Sequence, residues 1–488
     1  MARRKKPTQA QAPTLPEREG EESGPASNGT SHSSSSRSGR TPGAAGRWVP
    51  LLLLAYFFLA FGYSAVTPPP NASGQHNPDE AAHVQYVATL ASGHLSVFTD
   101  AAHGYENHQP PLYYALCAPV YLAARGHGDA AATRAVRGVS ILLGALLILA
   151  AYGCIRCLLP GHPALALGTA AFVALLPGNV ALCASVTNDA LTNLVFAAAL
   201  WQLVRLVTSP DPDTPPALWR RRALRLGLTL GLGVWTKTST LTLFPVVLLA
   251  FYFVARRGLM TAARAARGAL LTCGLGLILG LPWLGRNQLL YGDPLAQHIF
   301  VTAFARTAQA DTITRYVFDG SVGGYLLGVA RWTFASFWGG FDSGLIFWGQ
   351  DPRARLDPSA PGAYGIYGGM PPPFYALFLA LSLASLAGVF LRLRREPPDA
   401  RQGVALSAFA ALVGLVGFVF LRFILTFFQA QGRYLYPALV PLAFFFVWGG
   451  QGLSPRPARR RAFVGLLAAG LVALNLYTIF GLLAPRFS

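Results

Sequence analysis

Trp48-Val49-Pro50-Leu51-Leu52-Leu53-Leu54-Ala55-Tyr56-Phe57-Phe58-Leu59-Ala60-Phe61-Gly62-Tyr63-Ser64-Ala65-Val66 contains no Asp, Glu, Lys or Arg. A charge-free apolar stretch of this length is what a helix needs to cross roughly 30 Å of hydrocarbon. Further windows of the same kind lie at residues 138–155, 163–187, 190–204, 238–255, 268–285, 373–391, 402–421, 434–455 and 462–485. Two shorter runs, 111–124 and 226–236, are ambiguous by length. Composition agrees: of 488 residues 53% are hydrophobic and only 12% charged, against roughly a quarter charged in soluble domains. The fold class expected is an all-α polytopic membrane protein.

The net charge of +19 comes almost wholly from arginine, since the only lysines are Lys5, Lys6 and Lys237. These arginines stand in short connections between apolar runs, where positive charge marks the cytoplasmic side of a membrane. That placement argues against a nucleic-acid partner. Residues 1–46 are rich in Ser, Gly, Pro and charge, and such a segment buries too little apolar surface to fold. It reads as a disordered cytoplasmic tail. Cys117, Cys154, Cys157, Cys183 and Cys273 all lie within or beside apolar segments, so no loop carries a disulfide framework and Cys154-Ile-Arg-Cys157 reads as packing.

Charge then sets the path. If 111–124 does not cross, and 226–236 and 238–255 form a hairpin with Lys237 near its outer tip, Arg220, Arg221, Arg222, Arg392, Arg394, Arg395, Arg456, Arg459, Arg460 and Arg461 all fall inside. This gives about eleven transmembrane helices, with 10–13 possible, a cytoplasmic N-terminus and an external C-terminus. Arg125, Arg134 and Arg137 then stand outside against the rule. The organisation expected is a tail (1–46), an N-terminal transmembrane module (47–286) with the external loop 67–110, an external region of interfacial helices (287–372), and C-terminal transmembrane helices (373–488). The third region carries Trp332, Phe334, Phe337, Trp338, Phe341, Phe347 and Trp348, which suits the water interface.

The external loop after the first span holds the densest chemistry. Asn77-Pro78-Asp79-Glu80-Ala81-Ala82-His83 places two carboxylates together, and His76, His83, His94, His103 and His108 are five of the chain's nine histidines. Pro78 suits the first turn of a helix with Asn77 as its cap, and Asp79 and Glu80 then complement the helix dipole. That bland role accounts for one carboxylate more easily than for two. On such a helix Asp79 and Glu80 each share a face with His83. Transfer of a sugar from a lipid-linked phosphate to a hydroxyl needs one base for the acceptor proton and cations for the leaving phosphate. Asp79 as base, with external arginines as clamp, meets that need.

Pro78-Asp79-Glu80-Ala81-Ala82-His83-Val84-Gln85-Tyr86, His108-Gln109-Pro110-Pro111-Leu112-Tyr113-Tyr114, Ser185-Val186-Thr187-Asn188-Asp189 and Thr236-Lys237 together resemble the successive landmarks of C-type membrane glycosyltransferases, relatives of protein mannosyltransferases and of the enzymes that attach aminoarabinose to lipid A. Arg286-Asn287-Gln288-Leu289-Leu290-Tyr291-Gly292-Asp293-Pro294, Ser336-Phe337-Trp338-Gly339 and Gln431-Gly432-Arg433-Tyr434-Leu435-Tyr436-Pro437 are similar to a bacterial branch of that superfamily. The resemblance runs in order from about residue 48 to 450. It implies an inverting transferase at the outer face of the cell membrane, taking a polyprenyl-phosphate-linked sugar to a hydroxyl acceptor. Asp79 would be the base, Glu80 its neighbour and Asp189 a second acid. His83, His108, Gln109 and Lys237 would stand near the substrates. Two departures bear on this: Ala81 stands where proline is usual, and His108-Gln109 replaces a pair that elsewhere includes a lysine for the donor phosphate. Arg137, Arg286, Arg422 or Arg433 must then supply that charge.

Plainer readings stand beside these. Asp189 suits a helix cap and Arg433 a snorkelling side chain. Asp79 or Glu80 with His83 or His108 has acceptable ligand types for a divalent cation, but nothing in the sequence fixes their distance, so no metal ligand is assigned and no cofactor is certain. A transporter or flippase of a lipid-linked envelope intermediate would also place charges near a membrane. The absence of an inverted repeat and the position of the acids in a loop count against it.

Overall fold

The computed structural model describes residues 46–70, 77, 79–100, 104–208, 215–339 and 370–487, and these contain helices and turns without a strand. Helix α1 (Val49–Val66) has Pro50 in its first turn, where the missing N–H costs nothing. It buries Tyr56, Leu59, Ala60 and Tyr63 and turns Leu51, Leu54, Phe58 and Phe61 outward. A helix apolar all round with half of it uncovered is what a lipid-facing span looks like.

After the first loop come α2 (Glu80–Ala91) and α3 (Leu112–Ala124). The latter is 13 residues long with Pro119 inside it, too short to span. The 30-residue α4 (Asp129–Leu158) packs along α1, α3, α5 (Pro163–Leu175) and α7 (Asp189–Thr208). The apolar run 163–187 is not one straight span. It breaks at Leu176 into α5 and the short α6 (Pro177–Cys183), bent by 61°, because Pro177 has no N–H to offer and its ring opposes the carbonyl four residues back. α7 is the most covered of the long apolar helices before residue 430, and it forms the centre on which α4, α8 (Pro216–Val234), α9 (Leu243–Arg256) and α16 converge, the last spanning Ala400–Ile424.

α8 and α9 are joined through Lys237 and a 3-10 turn, Thr238–Thr242. α10 (Ala262–Ala269) continues through a π turn into α11 (Leu275–Tyr291), which carries the chain past Arg286 before the region 287–372 begins. That region holds α12 (Gln297–Ala303), α13 (Ala310–Val317) and α14 (Val322–Gly339). Its aromatic residues are not all interfacial: Trp338 is buried and stacks on Phe378 at 4.4 Å, packed also against Phe172 and Phe446. Phe341, Phe347 and Trp348 lie outside the described residues, as does nearly all of the N-terminal tail. α15 (Pro372–Arg395) then packs along α17 (Leu439–Gly452), and α18 (Pro457–Leu476) along α5.

Among the described residues nine helices are long and apolar enough to cross a membrane, ten if α5 and α6 are one bent crossing. α8 would be the eleventh. Arg220, Arg221, Arg222 and Arg225 in its first half keep it below the hydropathy of the rest.

Candidate active site

Asp79 is the last residue before α2 and sits in the left-handed region, φ 58° and ψ 8°. Helix α2 therefore opens at Glu80, two residues later than a Pro78 start would give. Asn77 does not cap it; its Nδ2 donates to Glu80 Oε2 at 2.8 Å. Aspartate tolerates this conformation at a cost of roughly 1–2 kcal/mol, and such strain gathers at functional sites. The neighbouring residue holds it there. Glu80 is wholly buried; Oε1 accepts from Arg137 Nε at 2.8 Å and from the Val186 N–H at 2.9 Å, and Oε2 accepts from Arg137 Nη2 at 2.7 Å.

Arg137 spends its remaining donors on Ser64 O, Thr67 O and Pro68 O. All five of its N–H groups are engaged and it is fully buried, so it has none left for a phosphate. The expectation of Arg137 as a phosphate ligand is corrected to a tie between α4, the end of α1 and the start of α2. Glu80 is its counter-ion.

Asp79, by contrast, is open. Its Oδ2 meets Arg433 Nη2 at 2.7 Å while the side chain stays 26% exposed. Arg433 also reaches Asp189 Oδ2 at 3.7 Å, and Lys237 Nζ holds Asp189 Oδ1 at 2.5 Å. Two acids and two cations thus alternate in one chain, brought together from α2, α7, the α8–α9 connection and the 3-10 segment Gly432–Ala438. Asp189 stands first in α7, where the helix dipole favours the same negative charge that the two cations do.

His83 turns away from this chain to Tyr114, Nδ1 to Oη 2.9 Å, and burial pushes its imidazole down to about 3, so it is neutral. His108 donates from Nδ1 to the Tyr105 carbonyl at 3.0 Å, which leaves Nε2 to accept from Gln109 Nε2 at 2.9 Å. Burial pushes His108 down to about 4. Gln109 Oε1 in turn accepts from Asn188 Nδ2 at 3.2 Å. These two residues fasten the first loop to the start of α7. Arg286 lies apart from the acids, donating to Ser96 O at 2.6 Å and resting over Trp283. Arg422 is exposed at the end of α16 and enters none of these ion pairs. Among the described residues no group of three His, Cys, Asp or Glu side chains is placed to hold a metal; His76 and His103 lie outside them.

One site residue was missed in the sequence. Glu106 is buried in the turn before the paired prolines, and burial pushes its carboxyl up to about 8, with Asp79 adding and Lys237 and Arg433 opposing. The available signal was an acid two residues before His108.

A cavity of about 570 Å³ is lined by Phe334 and Phe337 of α14, Ser385 and Leu386 of α15, Ile424 of α16, and Leu435, Leu442 and Phe446. Leu326, Leu386 and Leu421 in its wall are 39%, 65% and 45% exposed, so it is open to the surface. Leu435 and Arg433 belong to the same 3-10 segment.

Residues 108–285 match the family model of dolichyl-phosphate-mannose-protein mannosyltransferase. No curated protein matches the chain by sequence. Among solved structures, the apo oligosaccharyltransferase of Archaeoglobus fulgidus superposes with a TM-score of 0.55 at 14% identity, over 90% of this chain and 56% of that one. The same enzyme, AglB, in complex with an inhibitory peptide and a dolichol-phosphate gives 0.50 at 14% identity, with the same coverage. ArnT from Cupriavidus metallidurans bound to undecaprenyl phosphate gives 0.48 at 15%, over 91% of this chain and 72% of that one. The chain thus spans little more than half the length of the oligosaccharyltransferase. The resemblance to C-type membrane glycosyltransferases stands, with the all-helical multi-pass fold that it implies.

Proposed function

We propose that the chain is a membrane glycosyltransferase that moves a sugar from a polyprenyl-phosphate donor to a hydroxyl acceptor at the outer face of the cell membrane, with inversion and with Asp79 as the general base. The observation that carries this reading is a single one: the most exposed carboxylate of the cluster is ion-paired at 2.7 Å to an arginine whose 3-10 segment also contributes Leu435 to the wall of an apolar cavity. An apolar cavity with exposed leucines in its wall suits a prenyl chain, and a buried arginine two residues from its Leu435 suits the phosphate. The mannosyltransferase match and the dolichol-phosphate held by the archaeal enzyme favour the same donor class.

The ion pair itself supplies a sequence of events. While Arg433 holds Asp79, the carboxylate has its charge shared. A phosphate that draws Arg433 and Lys237 to itself frees Asp79 to take the acceptor proton, and the same cations stabilise the charge that grows on the leaving phosphate. Donor binding would thereby arm the base. Glu80 and Arg137 position it, and Asp189 holds the two cations.

Asp79→Asn keeps the shape and removes the basicity. In vesicles reconstituted with a lipid-phosphate sugar, product formation is expected to fall by roughly 10² to 10⁴, as for loss of a general base, while the donor still binds. Full transfer by this variant would overturn the mechanism. A transporter would yield no glycosylated product from either protein.

A further inference from the structure

The cluster holds a third carboxyl to which the steps above give no work. Glu106 is 6% exposed, and its Oε2 is sealed from solvent with no hydrogen-bond partner. A sealed carboxylate oxygen without a partner is costly if charged, yet the turn that carries it is fixed from three sides. The Tyr86 hydroxyl of α2 donates to Gln109 O, Asn188 before α7 donates to the Gln109 side chain, and the Leu112 N–H donates to Trp235 O, two residues before Lys237. Those three ties bind Glu106 to the elements that carry Asp79, Asp189 and Lys237. On its other side Tyr105 and His108 pack their rings against Phe304 and Phe300. The ionisable groups that face it are Asp79, Asp189, Lys237, Arg433, Tyr105, Tyr114 and Tyr434.

We propose that Glu106 is a phosphate-binding residue in its neutral form, donating its O–H to an oxygen of the donor phosphate held by Arg433 and Lys237. The inference rests on the lipid-phosphate reading above. The charge count favours it: Asp79 and Asp189 already balance Arg433 and Lys237, so an ionised Glu106 would make the site net negative and repel an anion. A neutral acid adds a donor without adding charge. With the carboxyl pushed up to about 8, it keeps its proton at neutral pH and loses it above. Anion binding prefers the protonated form, so affinity falls as pH rises through that value, by up to about tenfold per unit.

The test is binding of undecaprenyl phosphate to the full chain in nanodiscs between about pH 7.5 and about pH 9, a range above the second ionisation of a phosphate monoester near 6. Wild type is expected to lose about tenfold in affinity across it. Glu106→Gln, which is neutral at every pH, is expected to keep the affinity seen at the lower pH and show a nearly flat profile. A flat wild-type profile, or a Gln variant that falls as steeply as wild type, overturns the proposal. If the Gln variant does not fold, infrared spectroscopy of wild type decides: a protonated-carboxyl band that disappears near pH 8 together with binding supports it, and no such loss overturns it. Wild type that binds the probe at no pH overturns the lipid-phosphate reading, and this inference with it.

Discussion

Asp79 and Glu80 are adjacent in sequence and opposite in environment: one is part-exposed with a single arginine, the other sealed against a guanidinium whose five donors are all occupied. Removing one partner of a buried pair strands the other charge, at about 3–5 kcal/mol. Arg137→Ala is therefore expected to lower the thermal stability of the detergent-solubilised protein by that order, and Glu80→Gln to lower it less, because the amide still offers an acceptor to Arg137. Asp79→Asn should leave the melting temperature nearly unchanged while activity is lost. An Arg137→Ala protein as stable as wild type would return Arg137 to the list of candidate phosphate ligands. The i,i+4 and i,i+3 spacings from Asp79 and Glu80 to His83 suggested a shared face, but His83 went to Tyr114, since a buried neutral imidazole gains more from a hydroxyl than from a partly hydrated carboxylate.

At the scale of elements, the site is made by helices that stop early. α6 ends at Cys183, and the N–H groups of Val186 and Thr187 that follow it find Glu80 Oε1 and Tyr113 Oη instead of helical carbonyls. The chain then restarts at Asp189 with its carboxylate in the site. The 3-10 segment before α17 does the same for Arg433. Its first residue, Gly432, donates its N–H to Ser336 Oγ at 2.8 Å, and a Cβ there would stand 2.3 Å from the Phe337 nitrogen and 2.4 Å from its Cα. Backbone cannot swing aside as a side chain can, so Gly432→Ala must push this segment off α14 and carry Arg433 with it. Overpacking of this kind costs about 1–3 kcal/mol; transfer activity should fall at least tenfold with weakened donor binding. Gly465→Ala on α18, where a Cβ meets nothing within 4 Å, is the control expected to be neutral or slightly stabilising. Equal effects of the two would show that the close approach of Gly432 does not position Arg433.

For the molecule as a whole, the spans were legible because a long charge-free run has few alternatives in any fold. The break at Pro177 was not, since hydropathy passes over it unchanged and only Pro177-Gly178 marked it. Asp79, Asp189, Lys237 and Arg433 each stood out in a separate stretch, but their pairing joins residues as far apart as Asp79 and Arg433, which no local pattern reports. Glu106 offered only its place two residues before His108, with no periodicity to set it apart. The pairing also bears on orientation. Arg137 stood against the positive-inside rule, yet its charge is cancelled by Glu80 in a buried contact, and a neutral pair does not count in that balance. With it removed, the proposed path leaves Arg220, Arg221 and Arg222 on the side of Arg394 and Arg395, and the acids opposite. Four of the five native cysteines are buried and Cys157 is partly so, which makes thiol labelling on intact cells a clean measurement. Cysteine at exposed His94 or Gly126 should react with an impermeant reagent, and cysteine at exposed Arg221 or Arg394 only after the membrane is opened. Labelling of the Arg221 position from outside would put α8's charged end on the same face as Asp79, remove α8 from the spans and leave the proposed outer-face reaction without its topological basis.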